Sequence, residues 1–199
     1  MDVHEAVIKR RSIRRFKDVA VAHDILEGCV DAARLAPTAW NRQVCECIVV
    51  DDEQLLPQVF DNLASWAGQP AVKSAPPLGY RPKAYIIILI NVSLEAEVGG
   101  ARKLAIYEVG MAAENIVLVA LEQGIGACPM LSFKQDELMQ ILNIPDSYEI
   151  AMVLALGYPD ESPVLEVAAD SVQPWVDSKG VRHVPKRELR DIMHRNKFP

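Results

Sequence analysis

Arg10-Arg11-Ser12-Ile13-Arg14-Arg15-Phe16 packs four arginines and a hydroxyl into seven residues of a chain whose formal net charge is −6. Residues 1–17 hold six Lys or Arg against two acids, so this segment runs against the charge of the whole. A guanidinium presents a planar fork of donors that matches phosphate oxygens, and a neighbouring hydroxyl completes such a shell. The segment reads either as a phosphate-binding corner at the end of an N-terminal helix or as a solvated basic face. Taken alone, the solvated face is the commoner outcome for so short a run.

Working outward, Val3–Arg11 has apolar Val3, Ala6 and Val7 at helical spacing behind Asp2, a suitable N-cap. Val21–Leu35 reads as a second helix stopped by Pro37. Residues 36–43, Ala-Pro-Thr-Ala-Trp-Asn-Arg-Gln, form a loop, followed by a strand over Val44–Asp51 and a helix over Asp52–Trp66 interrupted near Pro57. Four prolines and two glycines make 67–82 an irregular connection. Ala84–Asn91 is a β-branched run typical of a buried strand. Ala101–Gln123 is the longest helix, ended by Gly124, and its second half is apolar almost all round, which calls for burial on more than one side. A short helix over Lys134–Leu142, a strand over Ile150–Leu156 and a last helix over Lys186–Asn196 complete the chain. Helices and strands mix without a βαβ rhythm, so a single α+β domain over 1–199 is expected.

Composition narrows the function. The 199 residues are 50% hydrophobic and 24% charged, the balance of an ordinary globular domain. Net acidity and a basic stretch without interleaved aromatics argue against nucleic acid as a partner. The longest uninterrupted apolar runs, Tyr85–Ile90 and Ile116–Leu121, are too short to cross a bilayer, and the start has no basic-then-apolar leader, so no membrane partner and a cytoplasmic location are expected. Cys29, Cys45, Cys47 and Cys128 lack zinc spacing and read as reduced structural thiols, with Cys128 in a Gly-rich turn. Gly124-Ile125-Gly126 begins a dinucleotide fingerprint, but it follows a helix and its third glycine position is Pro129. His4, His23, His183 and His194 are scattered, and no metal site is expected.

Four segments in order carry a resemblance: Arg10–Phe16; Ala36–Gln43; Val109-Gly110-Met111-Ala112-Ala113-Glu114-Asn115 running into Gly124-Ile125-Gly126-Ala127-Cys128; and Ala155-Leu156-Gly157-Tyr158-Pro159. In this the chain resembles the FMN-dependent nitroreductase family along nearly its full length. The resemblance implies an α+β nitroreductase-like sandwich, a mixed central sheet flanked by helices, in an intertwined homodimer with two FMN sites at the subunit interface. It assigns the FMN phosphate and adjacent polar atoms to Arg10, Arg11, Ser12 and Arg14, with Lys186 and Arg187 adding cationic contacts late in the chain. It assigns a loop reaching across to the other subunit's flavin to Pro37, Thr38, Ala39, Asn41 and Gln43. Thr38 stands where serine is usual and keeps the hydroxyl, while Val44-Cys45 replaces the Pro-Trp that often follows. Leu131 and Ser132 would cover the flavin ring near N5, a Ser132 N–H donating there, and Gln69 and Lys73 would meet its pyrimidine edge.

Such a site fits the cofactor's chemistry: cations for a dianionic phosphate, hydroxyls and amides for the ribityl chain, an apolar slot for the ring. Of Trp40, Trp66, Tyr80, Met130 and Phe133, one or two are expected to touch ligand and the rest to be core. No acid or base side chain is required, because the flavin carries the hydride chemistry. The implied activity is ping-pong transfer from NAD(P)H to nitroaromatics, quinones or similar conjugated acceptors. The short connection 92–100 favours an open, tolerant pocket. Two alternatives stay open: a flavin reductase with a narrow substrate, and a non-catalytic flavin-binding module for storage or sensing.

Overall fold

The computed structural model describes residues 1–66, 69–70, 75–96 and 102–198. Met1–Asp160 and Glu161–Pro199 form two compact units.

The first unit is built on a four-stranded sheet in the order β1-β4-β6-β5, with β1 Cys45–Val50, β4 Ala84–Asn91, β5 Gly126–Met130 and β6 Tyr148–Gly157. All three ladders are antiparallel, and the parallel element is a bridge from Ser12 to Ala127 on the β5 edge. A two-stranded ribbon, β2 Ser65–Trp66 with β3 Gln69–Pro70, stands apart from it. The helices are α1 Val3–Lys9, α2 His23–Arg34, α3 Leu55–Asp61, α4 Val92–Ala96, α5 Arg102–Glu122 and α6 Gln135–Ile141.

Strand β4 has the bounds its β-branched run predicts, and it is buried because both faces are covered. Side chains alternate across a strand, so Ile86, Ile88 and Ile90 pack with Leu26, Val109, Ile116 and Leu154 on one side. Tyr85, Ile87 and Leu89 pack with Phe16, Phe60, Trp66 and Leu138 on the other. Trp66, tilted 5.2 Å from Phe60, and Met130 are buried in this core. Asp2 caps α1 as expected, accepting from the Glu5 N–H at 2.8 Å.

The window Leu104–Glu122 within α5 has mean hydropathy 1.7 and is long and apolar enough to cross a membrane by length and composition alone. Counting uninterrupted runs hides this. Here the helix packs between α2 and the sheet, with Ala105, Val109, Ala112, Ala113, Ile116, Val117 and Ala120 buried. Its all-round apolar second half is thus largely covered within the protomer. The exposed apolar positions lie in the first half, at Ile106, Tyr107 and Met111.

Three local expectations are corrected. Pro57 does not interrupt a helix: α3 starts at Leu55, and Pro57 falls in its first turn, where a backbone N–H has no helical acceptor anyway. Cys128 is in strand β5, not a turn, and Pro129 is tolerated there because β5 is the sheet edge. The last helix over 186–196 is absent.

In the second unit, β7 Val164–Val167 pairs parallel with β9 Arg182–Lys186, which pairs antiparallel with β8 Trp175–Val176. Only a 3-10 turn, Leu189–Asp191, follows. Leu189, Ile192 and Met193 are exposed, so the apolar positions that a helix here would bury stay uncovered. In the short connection 92–100, Val92–Ala96 is helical and 97–100 lie outside the described residues.

Candidate functional site

Leaving α1, the chain runs along the β5 edge, and two apolar side chains fix it there. Ile13 and Phe16 are buried, while Arg10, Arg11, Ser12, Arg14 and Arg15 keep partial or full exposure between them. The Ile13 N–H donates to the Ala127 carbonyl at 3.0 Å, the Phe16 N–H to Tyr80 at 3.1 Å and the Lys17 N–H to Tyr158 at 2.8 Å.

Two glycines make this path possible. A Cβ on Gly126 would stand 2.6 Å from Ile13 Cγ1, and one on Gly157 would stand 2.9 Å from Phe16 Cδ1. The basic segment, the Gly-Ile-Gly segment and the Leu-Gly-Tyr-Pro segment are thus parts of one corner.

Its electrostatics are crowded. The Arg11 guanidinium is held below its ordinary pKa by burial and then by the charge of Arg10. It donates to the Arg10 carbonyl, and Arg14 Nη1 donates to the Ser12 carbonyl at 3.3 Å. Arg10 Nε lies 3.6 Å from Glu114 on α5, too long for a hydrogen bond, and that buried nitrogen has no hydrogen-bond partner. Two adjacent cations, one depressed and one with an orphaned donor, make a place where an anion lowers the free energy.

The second group of candidates sits on the loop after α2. The Thr38 hydroxyl accepts from the Gln43 N–H at 3.2 Å, which leaves its own proton for an outside acceptor, and Gln43 Nε2 donates to the Asn41 carbonyl at 3.3 Å. Trp40, Asn41 and Gln43 adopt φ of 53°, 56° and 54°, the left-handed region that asparagine tolerates and the other two resist. Trp40 is 73% exposed. The loop is tied to α5, where Glu108 Oε1 accepts from the Ala39 N–H at 2.7 Å. Asn115 Nδ2, farther along α5, donates to the Ala32 carbonyl near the end of α2 at 3.0 Å.

Leu131 and Ser132 follow β5 directly. Leu131 is 73% exposed, and the Ser132 carbonyl accepts from the Ala64 N–H at 3.0 Å. Gln69 is in β3 opposite Trp66, and Lys73 lies outside the described residues. Lys186 ends β9, where its carbonyl accepts from the Ala168 N–H at 2.8 Å, and Arg187 follows; both are exposed in the second unit. Strand β5 therefore joins the arginine corner to Leu131 and Ser132, while α5 carries both Glu114 beside Arg10 and Glu108 beneath the loop.

The two glutamates are what the sequence did not single out. Their signal was present: acids recurring in a helix otherwise rich in apolar residues.

Among cavities, one of about 490 Å³ is lined by Asp51, Leu56, Phe60, Arg81, Lys83 and Tyr85 among others, and the described residues lining it include none of the candidates. A second, of about 320 Å³, brings Thr38 and Gln43 together with Cys45, Cys47 and Glu108. Its thiols are held in the protonated form. Burial lifts Cys47 to about 11 and Cys45 to about 12, with Glu108 and then Cys47 adding to the latter.

Comparison with known proteins agrees with this geometry. The nitroreductase family profile matches residues 7–158. The NADH dehydrogenase of Thermus thermophilus is 30% identical over 185 residues, covering 81% of this chain and 88% of its own. The crystal structure of a nitroreductase family protein from Clostridium novyi superposes with TM-score 0.70 at 27% identity, covering 81% of this chain and 87% of that one. An FMN-dependent nitroreductase from Clostridium difficile gives TM-score 0.69 at 25% identity, covering 97% and 98%. The profile spans most of the chain and takes in the arginine corner, the loop and α5, and on that ground this protein is a member of the nitroreductase family of oxidoreductases.

Proposed function

We propose that the protein is a homodimeric, FMN-dependent oxidoreductase that draws on NAD(P)H and reduces nitroaromatics, quinones or similar conjugated acceptors. The observation that carries this reading is the crowded arginine corner: Arg10 and Arg11 side by side, with Arg10 Nε buried and lacking a hydrogen-bond partner. A dianionic phosphate ester relieves both defects at once, and the donor set of Arg10, Arg11, Ser12 and Arg14 suits it.

When bound, FMN supplies the hydride chemistry. The chain's own residues bind and orient. Pro37, Thr38, Ala39 and Asn41 offer a hydroxyl, an amide and backbone groups to the polar part of a flavin. Leu131 covers the ring, the Ser132 N–H is a donor toward N5, and Gln69 meets the pyrimidine edge. Exposed Leu35, Trp40, Ile106, Tyr107 and Met111, all in the first unit, support a second copy as the cover for this side. A cytoplasmic setting belongs to the same reading, in keeping with four free thiols.

The test is the colour of the purified protein and its response to nicotinamides. A yellow dimer bleached anaerobically by NADH or NADPH and reoxidised by a quinone or nitroaromatic is expected. A colourless monomer that takes up no FMN refutes the proposal, and a yellow protein inert to both nicotinamides reduces it to a binding module.

A further inference from the structure

Glu108 is a carboxyl almost fully inside the protein, at 5% exposure, on a helix face otherwise made of Ala105, Val109 and Ala112. Oε1 accepts from the Ala39 N–H at 2.7 Å, across 69 residues of chain. Oε2 is buried with no hydrogen-bond partner. Burying such a group is costly, and a leucine of similar size would remove the cost.

The loop it holds is itself unfavourable: Trp40 and Gln43 sit at φ of 53° and 54°, where side chains other than glycine and asparagine rarely go. Backbone of this kind persists only where surrounding contacts over-determine it. Here the contacts include the Thr38 hydroxyl, which closes the loop on the Gln43 N–H, Arg42 Nη1, which donates to the Leu94 carbonyl at 3.1 Å, and Glu108, which pins the Ala39 N–H to α5.

We infer that Glu108 is a positioning residue for the flavin site: it trades protomer stability for the strained shape of loop 36–43, and that shape presents Thr38 and Asn41 to the cofactor. This rests on the proposed role of the loop. Glu108 acts through the loop: its Oε1 is engaged by the Ala39 N–H, while the carboxyl shares a cavity wall with Thr38 and Gln43. The carboxyl acts as an acceptor, so glutamine, which keeps a carbonyl oxygen at the same reach, should substitute for it, whereas leucine should not.

The experiment compares Glu108→Leu and Glu108→Gln with the parent chain by thermal midpoint, by amide hydrogen exchange over 36–43 and by FMN titration. Glu108→Leu is expected to melt at or above the parent temperature, while exchange in the loop and the FMN dissociation constant each rise about tenfold, the scale of one lost hydrogen bond to a charged or strongly polar group. Glu108→Gln is expected to return both to within about threefold of the parent, as an acceptor-preserving change should.

Unchanged loop exchange in the leucine variant overturns the clamp. Faster exchange with unaltered FMN affinity overturns the link to the cofactor. Weaker binding that merely tracks a lowered melting temperature, with no rescue by glutamine, assigns Glu108 a purely structural role and overturns the inference as well. A parent chain that binds no FMN refutes the flavin reading of the loop first, and is told apart from the other failures because it appears before any substitution is made.

Discussion

Gly126→Ala tests the corner at its tightest point. The added methyl would lie 2.6 Å from Ile13 Cγ1, 2.8 Å from Cβ and 3.0 Å from Cγ2. Contacts that short cannot be kept, and Ile13 is no flexible tip: it is β-branched, buried, and held through its N–H to Ala127. Either the 10–16 segment lifts from the β5 edge or β5 moves. Gly126 itself does not adopt positive φ, so the cost is steric and not conformational. Overpacking of this kind costs about 1–3 kcal/mol, which for a chain of this size lowers the melting temperature by roughly 2–12 °C.

Because the displaced segment carries Arg10, Arg11, Ser12 and Arg14, FMN affinity should fall further than stability alone explains. Calorimetry and flavin titration read the two effects separately. Adding Ile13→Ala removes two of the three clashing atoms, so the double variant should be more stable than the sum of the two single losses predicts. The matched control is Gly28→Ala on the exposed face of α2, where nothing lies within 4 Å. The same methyl should there stabilise by about 0.5–1 kcal/mol through helix propensity. A Gly126→Ala protein that melts with the parent and binds FMN normally would show that the arginine segment is not seated on this glycine, and the steric account of the corner would be wrong.

Arg10→Ala and Arg14→Ala should each weaken FMN binding by roughly 1.5–3 kcal/mol without lowering the melting temperature much, and unchanged affinity in both would remove the phosphate assignment. Tyr107→Glu on the exposed face of α5 should shift sedimentation toward monomer, whereas a charge at buried Val117 should impair folding of the protomer itself; a dimer unaffected by Tyr107→Glu argues against that face. In the second unit, Trp175 Nε1 donates to Glu166 at 2.7 Å and His183 Nδ1 meets the same carboxyl at 2.9 Å. Those contacts, the Trp175 bond first, hold the Glu166 carboxyl below its ordinary value. A folded pKa below the unfolded one means that this stabilisation is present above the usual carboxylate range and is lost as pH falls through it. Trp175, stacked 4.0 Å from His183, should therefore report an acid transition by fluorescence that Glu166→Gln abolishes. Cys29 and Cys47, lifted to about 11 by burial, should resist alkylation in the folded protein at neutral pH and react once it is unfolded, which mass spectrometry can follow.

How far the sequence could be read depends on whether a residue's role is local. Ala84–Asn91 declared itself because a strand covered on both faces has no polar phase to confuse, and Asp2 because a cap acts within one turn. Lys186–Asn196 misled for the opposite reason: its spacing suits a helix, but a helix of that length needs a surface to bury against, and sequence spacing contains no information about what lies opposite. The candidate site divides the same way. Arginines in a row and a Pro-Thr-Ala-Trp-Asn loop are visible as composition. That Gly126 and Gly157 matter for the missing Cβ, or that Glu108 meets the loop while Glu114 meets Arg10, is a property of crossings between distant segments. Six residues along a helix are about 9 Å and one and two-thirds turns, so the two glutamates point in different directions. A single helix can therefore serve both the arginine corner and the loop only if one acid is spent on each. The acids at 108 and 114 thus meet different neighbours, and the shape of the loop is tied to the same rigid element that balances the charge of Arg10.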